Sequence, residues 1–273
     1  MNVRTTKTIK TVLGRAAGLS GAYGRYFRSK MTIVAFHRVN DAVGDDGLTC
    51  PAEKFADFCH FFKRYFTVIP AAQQIAGCHA GRDMGGTLSI TFDDGYRDNF
   101  EVAAPILRKL GLPATFFVTT GFIGSRVVAP WDTGLHVGAD WMSWDQVRGL
   151  RDQGFDIGSH TDTHIDMGTT EAQRVRRELE TSRRRIAEEL GVEARLFAYP
   201  FGGREHMTDC ARRLVREAGF DCCMSCHGGV NCPSADPYRL SRIGIAEWFD
   251  TPHQFGFEVV TNRTELLAGY AVS

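Results

Sequence analysis

The segment Leu88-Ser89-Ile90-Thr91-Phe92-Asp93-Asp94-Gly95-Tyr96 carries an apolar run straight into two adjacent carboxylates and a glycine. A short apolar run ended by turn residues reads as a buried strand. The two aspartates then sit where that strand gives way to a loop. Farther along, His160-Thr161-Asp162-Thr163-His164 places two imidazoles four residues apart. One aspartate and two histidines supply protein ligands for one divalent metal and leave positions open for water. The other aspartate is free to take a proton from that water. Together these groups describe metal-assisted hydrolysis. Taken singly, each has a plainer account: the aspartates as turn residues capping the next helix, the histidines as polar loop residues.

Working outward, apolar runs alternate with helical periodicity. Residues 32–36 read as a strand ending at His37, and 52–66 as a helix with Phe55, Phe58, Cys59 and Phe62 on one face. A short strand at 67–69 stops at Pro70. After the strand at 88–92, a helix over about 100–110 ends at Gly111, and 114–118 is another strand. Ser143-Trp144-Asp145-Gln146 reads as a capping box opening a helix that Gly154 ends. A strand at 155–158 leads to His160, and a long helix at 171–190 is capped by Gly191. The remaining pattern is strand 196–199, helix 206–218, strand 220–225 and a last strand over 239–246. Such alternation predicts an α/β fold with a parallel sheet. The candidate chemistry falls at C-terminal strand ends, as in barrel enzymes, so a barrel is expected rather than an open sheet.

The bulk properties agree with one catalytic unit. The chain has 273 residues, 43% hydrophobic and 23% charged, with formal net charge zero. A neutral chain gives no global field to attract nucleic acid. No apolar run is long enough to cross a membrane, and the N-terminus lacks a continuous apolar stretch of the signal-peptide type. Eight cysteines in that setting read as reduced thiols, and a cytoplasmic location is expected.

Residues 1–30 stand apart from this neutrality. They hold Arg4, Lys7, Lys10, Arg15, Arg25, Arg28 and Lys30 and no acid, with apolar residues at helical spacing. This basic amphipathic segment suits peripheral contact with the inner membrane face, or packing on the domain that follows over 31–273. Gly14, Gly18, Gly21 and Gly24 each weaken such a helix by roughly 1 kcal/mol relative to Ala.

The motifs, in order, resemble those of the polysaccharide deacetylases, the NodB-like domain of carbohydrate esterase family 4. Thr91-Phe92-Asp93-Asp94-Gly95-Tyr96, with Gly111-Leu112-Pro113-Ala114-Thr115-Phe116-Phe117-Val118 behind it, resembles the first motif. Ser159-His160-Thr161-Asp162-Thr163-His164 resembles the second and Phe197-Ala198-Tyr199-Pro200-Phe201-Gly202 the third. The likeness runs over roughly residues 31–245. It implies a distorted (β/α)7 barrel, metal ligands Asp94, His160 and His164, and Asp93 as catalytic base. It also implies a backbone N–H of Phe201 at the oxyanion and Thr161 orienting its neighbours. Zinc is the default metal for such ligands, and cobalt, nickel or manganese fit the same set.

The chain departs from the family pattern in two places. The Arg that steers the base is replaced by Ala198, so Arg239 or Arg242 is expected to substitute from another strand. The late Leu-x-His that supplies the general acid is not recognisable, and His37 is the first candidate for that role, with a buried structural histidine as the alternative. Trp131, Trp141 and Trp144 lie before the second motif and read either as sugar-stacking aromatics, Trp141 foremost, or as loop packing. Cys223-Met224-Ser225-Cys226-His227, with Cys222 and Cys232 nearby, has c-type haem spacing but lies in an apolar strand pattern, so the thiols read as small buried hydrophobes, with a second, structural zinc as the alternative that lacks a matching Cys pair.

The expected activity is removal of acetyl from an N-acetylated amino sugar in a saccharide or lipid-linked saccharide. Two rivals stand beside it: hydrolysis of another C–N amide, cyclic amide or formamide, and an inactive carbohydrate-binding protein on the same fold.

Overall fold

The computed structural model describes residues 3–44, 46–135, 140–246 and 248–261. Nine strands are described: β1 (Thr32–Phe36), β2 (Arg38–Val39), β3 (Thr49–Cys50), β4 (Thr67–Val68), β5 (Thr87–Phe92), β6 (Thr115–Val118), β7 (Asp156–Ser159), β8 (Met224–Gly228) and β9 (Leu240–Gly244). The main sheet is parallel throughout, in the order β7-β6-β5-β1-β9-β8, and β4 pairs with the start of β5. Phe197 bridges to Ser159 of β7 and Ala198 to Met224 of β8. These bridges link the two ends of the curled sheet, which is the distorted α/β barrel expected from the alternation of elements.

The helices are α1 (Val3–Leu19), α2 (Ala22–Phe27), α3 (Ala52–Tyr65), α4 (Ala71–His79), α5 (Ala104–Leu110), α6 (Trp144–Asp152), α7 (Ala172–Leu190), α8 (Asp209–Glu217) and α9 (Pro252–Val260). Local chemistry sets several of their ends. Ser143 and Gln146 close a reciprocal capping box on α6. Gly111 and Gly191 take left-handed backbone just past α5 and α7.

Strand alternation divides the core. On β5, Leu88, Ile90 and Phe92 join the large cluster under the helices, where Phe36, Phe55, Phe58 and Phe116 also pack. The alternate residues Ser89, Thr91 and Asp93 are buried on the other face. There a smaller cluster of Ile33, Phe117, Leu196, Ala198, Met224 and Leu240 fills the lower interior. Period-2 geometry puts Arg242 on the same face of β9 as Leu240.

Three expected elements differ. The strand expected at 196–199 is reduced to the single-residue bridges at Phe197 and Ala198. The strand expected at 220–225 is β8, displaced to Met224–Gly228, because the buried run of Phe220, Cys222 and Cys223 precedes the paired residues. The helix expected from 206 begins at Asp209, where the Thr208 hydroxyl accepts from the Ala211 N–H. The end of the expected domain, residues 262–273, lies outside the described residues.

Candidate active site

Four described non-glycine residues have positive φ: Asp94 (74°), Thr161 (65°), His164 (57°) and Phe201 (62°). All four belong to the three motifs. Left-handed backbone at a residue with a Cβ costs on the order of 1–3 kcal/mol and persists where surrounding structure enforces it. At Asp94 the function of the strain is geometric. Neighbouring side chains on a strand point to opposite faces, and the turn at Asp94 and Gly95 brings the Asp94 carboxylate back to the centre that Asp93 faces. Gly95 has φ 94°, and a Cβ there would meet Ile123 Cδ1 at 2.6 Å.

The carboxylate of Asp94 and the rings of His160 and His164 converge. Asp94 Oδ1 lies 3.4 Å from His160 Nε2 and 3.3 Å from His164 Nε2. Ligands held by one ion at bonds of ~2.1 Å and tetrahedral angles are about 3.4 Å apart, so the spacing matches a shared metal. Asp94 Oδ1 is buried and has no hydrogen-bond partner. The Nδ1–H of His160 donates to the Ala198 carbonyl at 2.9 Å, which turns Nε2 toward Asp94 as a free donor of its lone pair. These three residues therefore fit a divalent cation. Burial works to raise the Asp94 carboxyl, and the facing imidazoles of His160 and His164 overcome it, holding it well below the usual range. Burial pushes the His164 imidazole down, toward the neutral form a metal requires.

The loop that carries the two histidines is held from below. Glu178 of α7 accepts from the N–H groups of Asp162 (3.0 Å) and Thr163 (2.8 Å) and from the Thr163 hydroxyl (2.6 Å). Thr161 Oγ1 accepts from the His164 N–H at 3.0 Å. The role of Glu178 was not visible in the sequence, where an acid in a charged helix reads as a solvated side chain.

Asp93 faces Arg242. Arg242 Nη1 donates to Asp93 Oδ1 at 2.7 Å and Nη2 to Oδ2 at 2.6 Å, a bidentate pair with both side chains almost fully buried. Nη1 also donates to Thr91 Oγ1 at 3.0 Å. Desolvation raises the Asp93 carboxyl, but the guanidinium and nearby imidazoles lower it further, and it stays below its ordinary value. Of the two arginines weighed as substitutes for the family Arg, Arg242 takes the position. Arg239 is exposed and pairs with Asp209 and Asp236.

His37 ends β1 beside this pair. A ring nitrogen of His37, a carboxylate oxygen of Asp93 and Cys226 Sγ all lie within 4.8 Å of one another. Burial lowers the His37 imidazole pKa, while Asp94 and Asp93 pull it back up. Burial pushes the Cys226 thiol up to about 12, so it is a neutral neighbour. In the sequence Cys226 reads as one of several core thiols, because only barrel closure brings the end of β8 to Asp93. All eight cysteines are free; Cys222 and Cys223 are buried as expected, whereas Cys226 is half-buried and Cys232 is exposed.

Phe201 is 42% exposed, and its ring packs edge-on against His164 with centroids 4.8 Å apart. Trp141 differs from expectation. It is buried, stacked on Tyr96 at 4.6 Å and against Phe122 at 4.7 Å, and its indole N–H donates to the Val127 carbonyl. Buried against these two rings, Trp141 packs the loop, the other of its two readings, and leaves no exposed platform for a sugar. Trp131 is the indole beside the candidate metal site, 4.4 Å from the His164 ring. It is fixed by a chain the sequence did not reveal: Trp131 Nε1–H donates to Tyr96 Oη, which donates to Asp132, which in turn pairs with buried Arg38.

A parallel barrel with a carboxylate–imidazole centre at its C-terminal strand ends has the site layout of barrel enzymes. The model of the family described as "Polysaccharide deacetylase" matches residues 80–223, more than half of the chain, and the chain belongs to that family. YxkH of Bacillus subtilis (strain 168) is 21% identical over 220 residues, covering 80% of this chain and 72% of that protein. A poly-beta-1,6-N-acetyl-D-glucosamine N-deacetylase of Staphylococcus aureus (strain MSSA476) is 25% identical over 167 residues, 58% of this chain and 54% of that protein, so the chain matches about half of its length. Among solved structures, the Streptococcus pyogenes deacetylase PplD in complex with acetate superposes with a TM-score of 0.68 at 18% identity, covering 83% of this chain and 96% of that one. IcaB from Ammonifex degensii gives 0.66 at 22% identity over 87% and 97%. At these identities the structures bear on the fold alone.

Proposed function

We propose that this member of the family is a metal-dependent N-deacetylase that releases acetate from an N-acetylated amino sugar within a saccharide. The observation that carries the reading is the pairing of two carboxylates with opposite environments on adjacent residues. Asp94 has an unpartnered oxygen facing two imidazoles, and Asp93 is clamped by a guanidinium. A divalent metal held by Asp94, His160 and His164, with zinc first and cobalt, nickel or manganese as alternatives, would polarise the acetamide carbonyl and acidify its water.

The chain's own groups do the rest. Asp93 takes a proton from the attacking water, and Arg242 keeps it ionised and aimed. His37 is placed to return a proton to the leaving amine; burial lowers its imidazole pKa, and Asp94 and Asp93 offset only part of that, so it gives up a proton readily. The Phe201 N–H donates to the developing oxyanion. A binding protein that had lost turnover would have no need of a buried ion pair at Asp93, since breaking even with desolvation is the best such a pair usually manages. This favours the enzyme over the inactive reading.

Oligomers of β-1,6-linked N-acetylglucosamine are the first substrate to try, on the likeness to the Staphylococcus aureus enzyme. A lipid-linked saccharide at the inner leaflet is the second. Asp93→Asn is expected to abolish acetate release while retaining one metal per chain by elemental analysis. Turnover at the wild-type rate would remove Asp93 from the role of base, and wild-type protein without metal after zinc loading would end the hydrolase reading.

A further inference from the structure

Helix α1 is mounted with its polar side inward. Lys7 donates to Asp250 at 2.8 Å, Lys10 to Glu258 at 2.9 Å, and Thr11 shares a hydrogen bond with Thr251. Gly14 and Gly18 lie on the same side and permit close approach. A Cβ at Gly14 would stand 1.9 Å from the His253 carbonyl oxygen, and one at Gly18 2.6 Å from Tyr65 Oη. Just beyond, α2 anchors the segment through Tyr23 and Phe27, both fully buried among the aromatics of α3.

The opposite side of α1 is apolar and faces outward. Ile9, Val12, Leu13 and Leu19 are 44%, 60%, 46% and 84% exposed, with exposed Ala16 between them. Their spacing of three and four residues makes them one continuous stripe. Exposed apolar side chains scattered singly are ordinary, but a helical stripe of them marks a surface that meets another phase or protein. The two earlier readings of this segment, packing on the domain and contact with a membrane, are thus compatible, because they use opposite faces.

We propose that this stripe lies on an anionic lipid surface. Charge selects that occupant. Residues 1–30 contain no acid, and Asp250 and Glu258 meet the helix only on its inner face, each paired with a lysine. Arg15 flanks the stripe and is exposed, as are Arg25 and Arg28 beyond it. Apolar insertion flanked by arginines matches the interface of a bilayer rich in acidic headgroups. The proposal does not depend on the deacetylase reading.

The test is co-sedimentation of the full chain with vesicles of phosphatidylglycerol and, separately, of phosphatidylcholine, for wild type and a Val12→Glu, Leu13→Glu variant. Both substituted positions face outward, so thermal melting and acetate release from a soluble substrate should match wild type. Wild type should bind the anionic vesicles, less so as salt rises, and the variant should bind at least about tenfold more weakly. No binding to anionic vesicles overturns the proposal, as does equal binding by the variant. A wild-type dimer that the variant dissolves, without vesicle binding, overturns it in favour of a second copy of the chain.

Discussion

Replacing Arg242 by Met tests the central electrostatic claim. Arg242 and Asp93 are 0% and 1% exposed and share two hydrogen bonds, at 2.7 and 2.6 Å. Removing one partner leaves a carboxylate buried without its counter-charge. Such losses cost about 3–5 kcal/mol, most of it the desolvation of the abandoned ion rather than the worth of the pair. For a chain of this size that corresponds to a fall in melting temperature of roughly 10 °C. The double variant Arg242→Met, Asp93→Asn removes the stranded charge as well, so it should be more stable than Arg242→Met alone. Urea unfolding of all four proteins at fixed zinc concentration gives the coupling as a double-mutant cycle. Without the guanidinium, burial dominates and raises the Asp93 carboxyl, so the acid limb of acetate release should move to higher pH in Arg242→Met. Arg242→Lys should recover charge but not the two-pronged geometry, and so fall between. A loss below about 1 kcal/mol in Arg242→Met, with no coupling in the cycle, would refute the argument that this pair holds Asp93 ionised.

Two further outcomes follow from the same contacts. Glu178→Ala strands the Asp162 and Thr163 N–H groups beneath the histidine loop, which should cost about 2–4 kcal/mol and weaken metal binding by roughly 10–100-fold. Chelator competition measures the second effect, and unchanged metal affinity would show that the loop holds its shape without Glu178. The third outcome concerns acid. The folded-state pKa of Asp93 lies below its ordinary value of 3.8, so its ion pair contributes stability that is fully present above that value and is lost as pH falls through the lower folded one. Stability curves of wild type and Asp93→Asn should therefore converge as pH drops below about 3.8. Curves that stay parallel there would mean that Asp93 is not the group being titrated.

Much of the site was readable because it rests on local chemistry. Asp-Asp-Gly after an apolar run marks a strand end wherever the strand lies in the sheet, and two histidines four residues apart share a loop by sequence alone. The capping box at Ser143 and the glycines after α5 and α7 are likewise local. What escaped depends on closure of the barrel or on the choice between two faces. The sequence offered both Arg239 and Arg242 as partners for the base, but the choice needed the sheet: Arg242 and Asp93 are 149 residues apart in the chain, and they meet because β5 and β9 flank β1. Helical periodicity in α1 fixes which residues share a face but not which face turns inward. That was decided by Asp250 and Glu258, more than 240 residues away. Trp141 misled for the same reason: a loop tryptophan can be a platform or a filler, and Tyr96 and Phe122 make it a filler.

Ala198 shows how the departure from the family pattern and its remedy belong together. Its carbonyl fixes the ring of His160, while its small side chain lies in the interior cluster with Phe117. The guanidinium of Arg242 lies over the ring of that same Phe117, 5.5 Å from its centroid. The interior thus has a small residue where the family usually carries its arginine, and a buried arginine arrives from β9 instead. A second guanidinium introduced at 198 would enter an interior where Arg242 already engages both oxygens of Asp93. It would find both oxygens of Asp93 already engaged, and a second buried guanidinium without its own counter-charge is costly. The site therefore accommodates one arginine opposite Asp93. The strand that supplies the guanidinium can change as long as both oxygens of Asp93 remain paired.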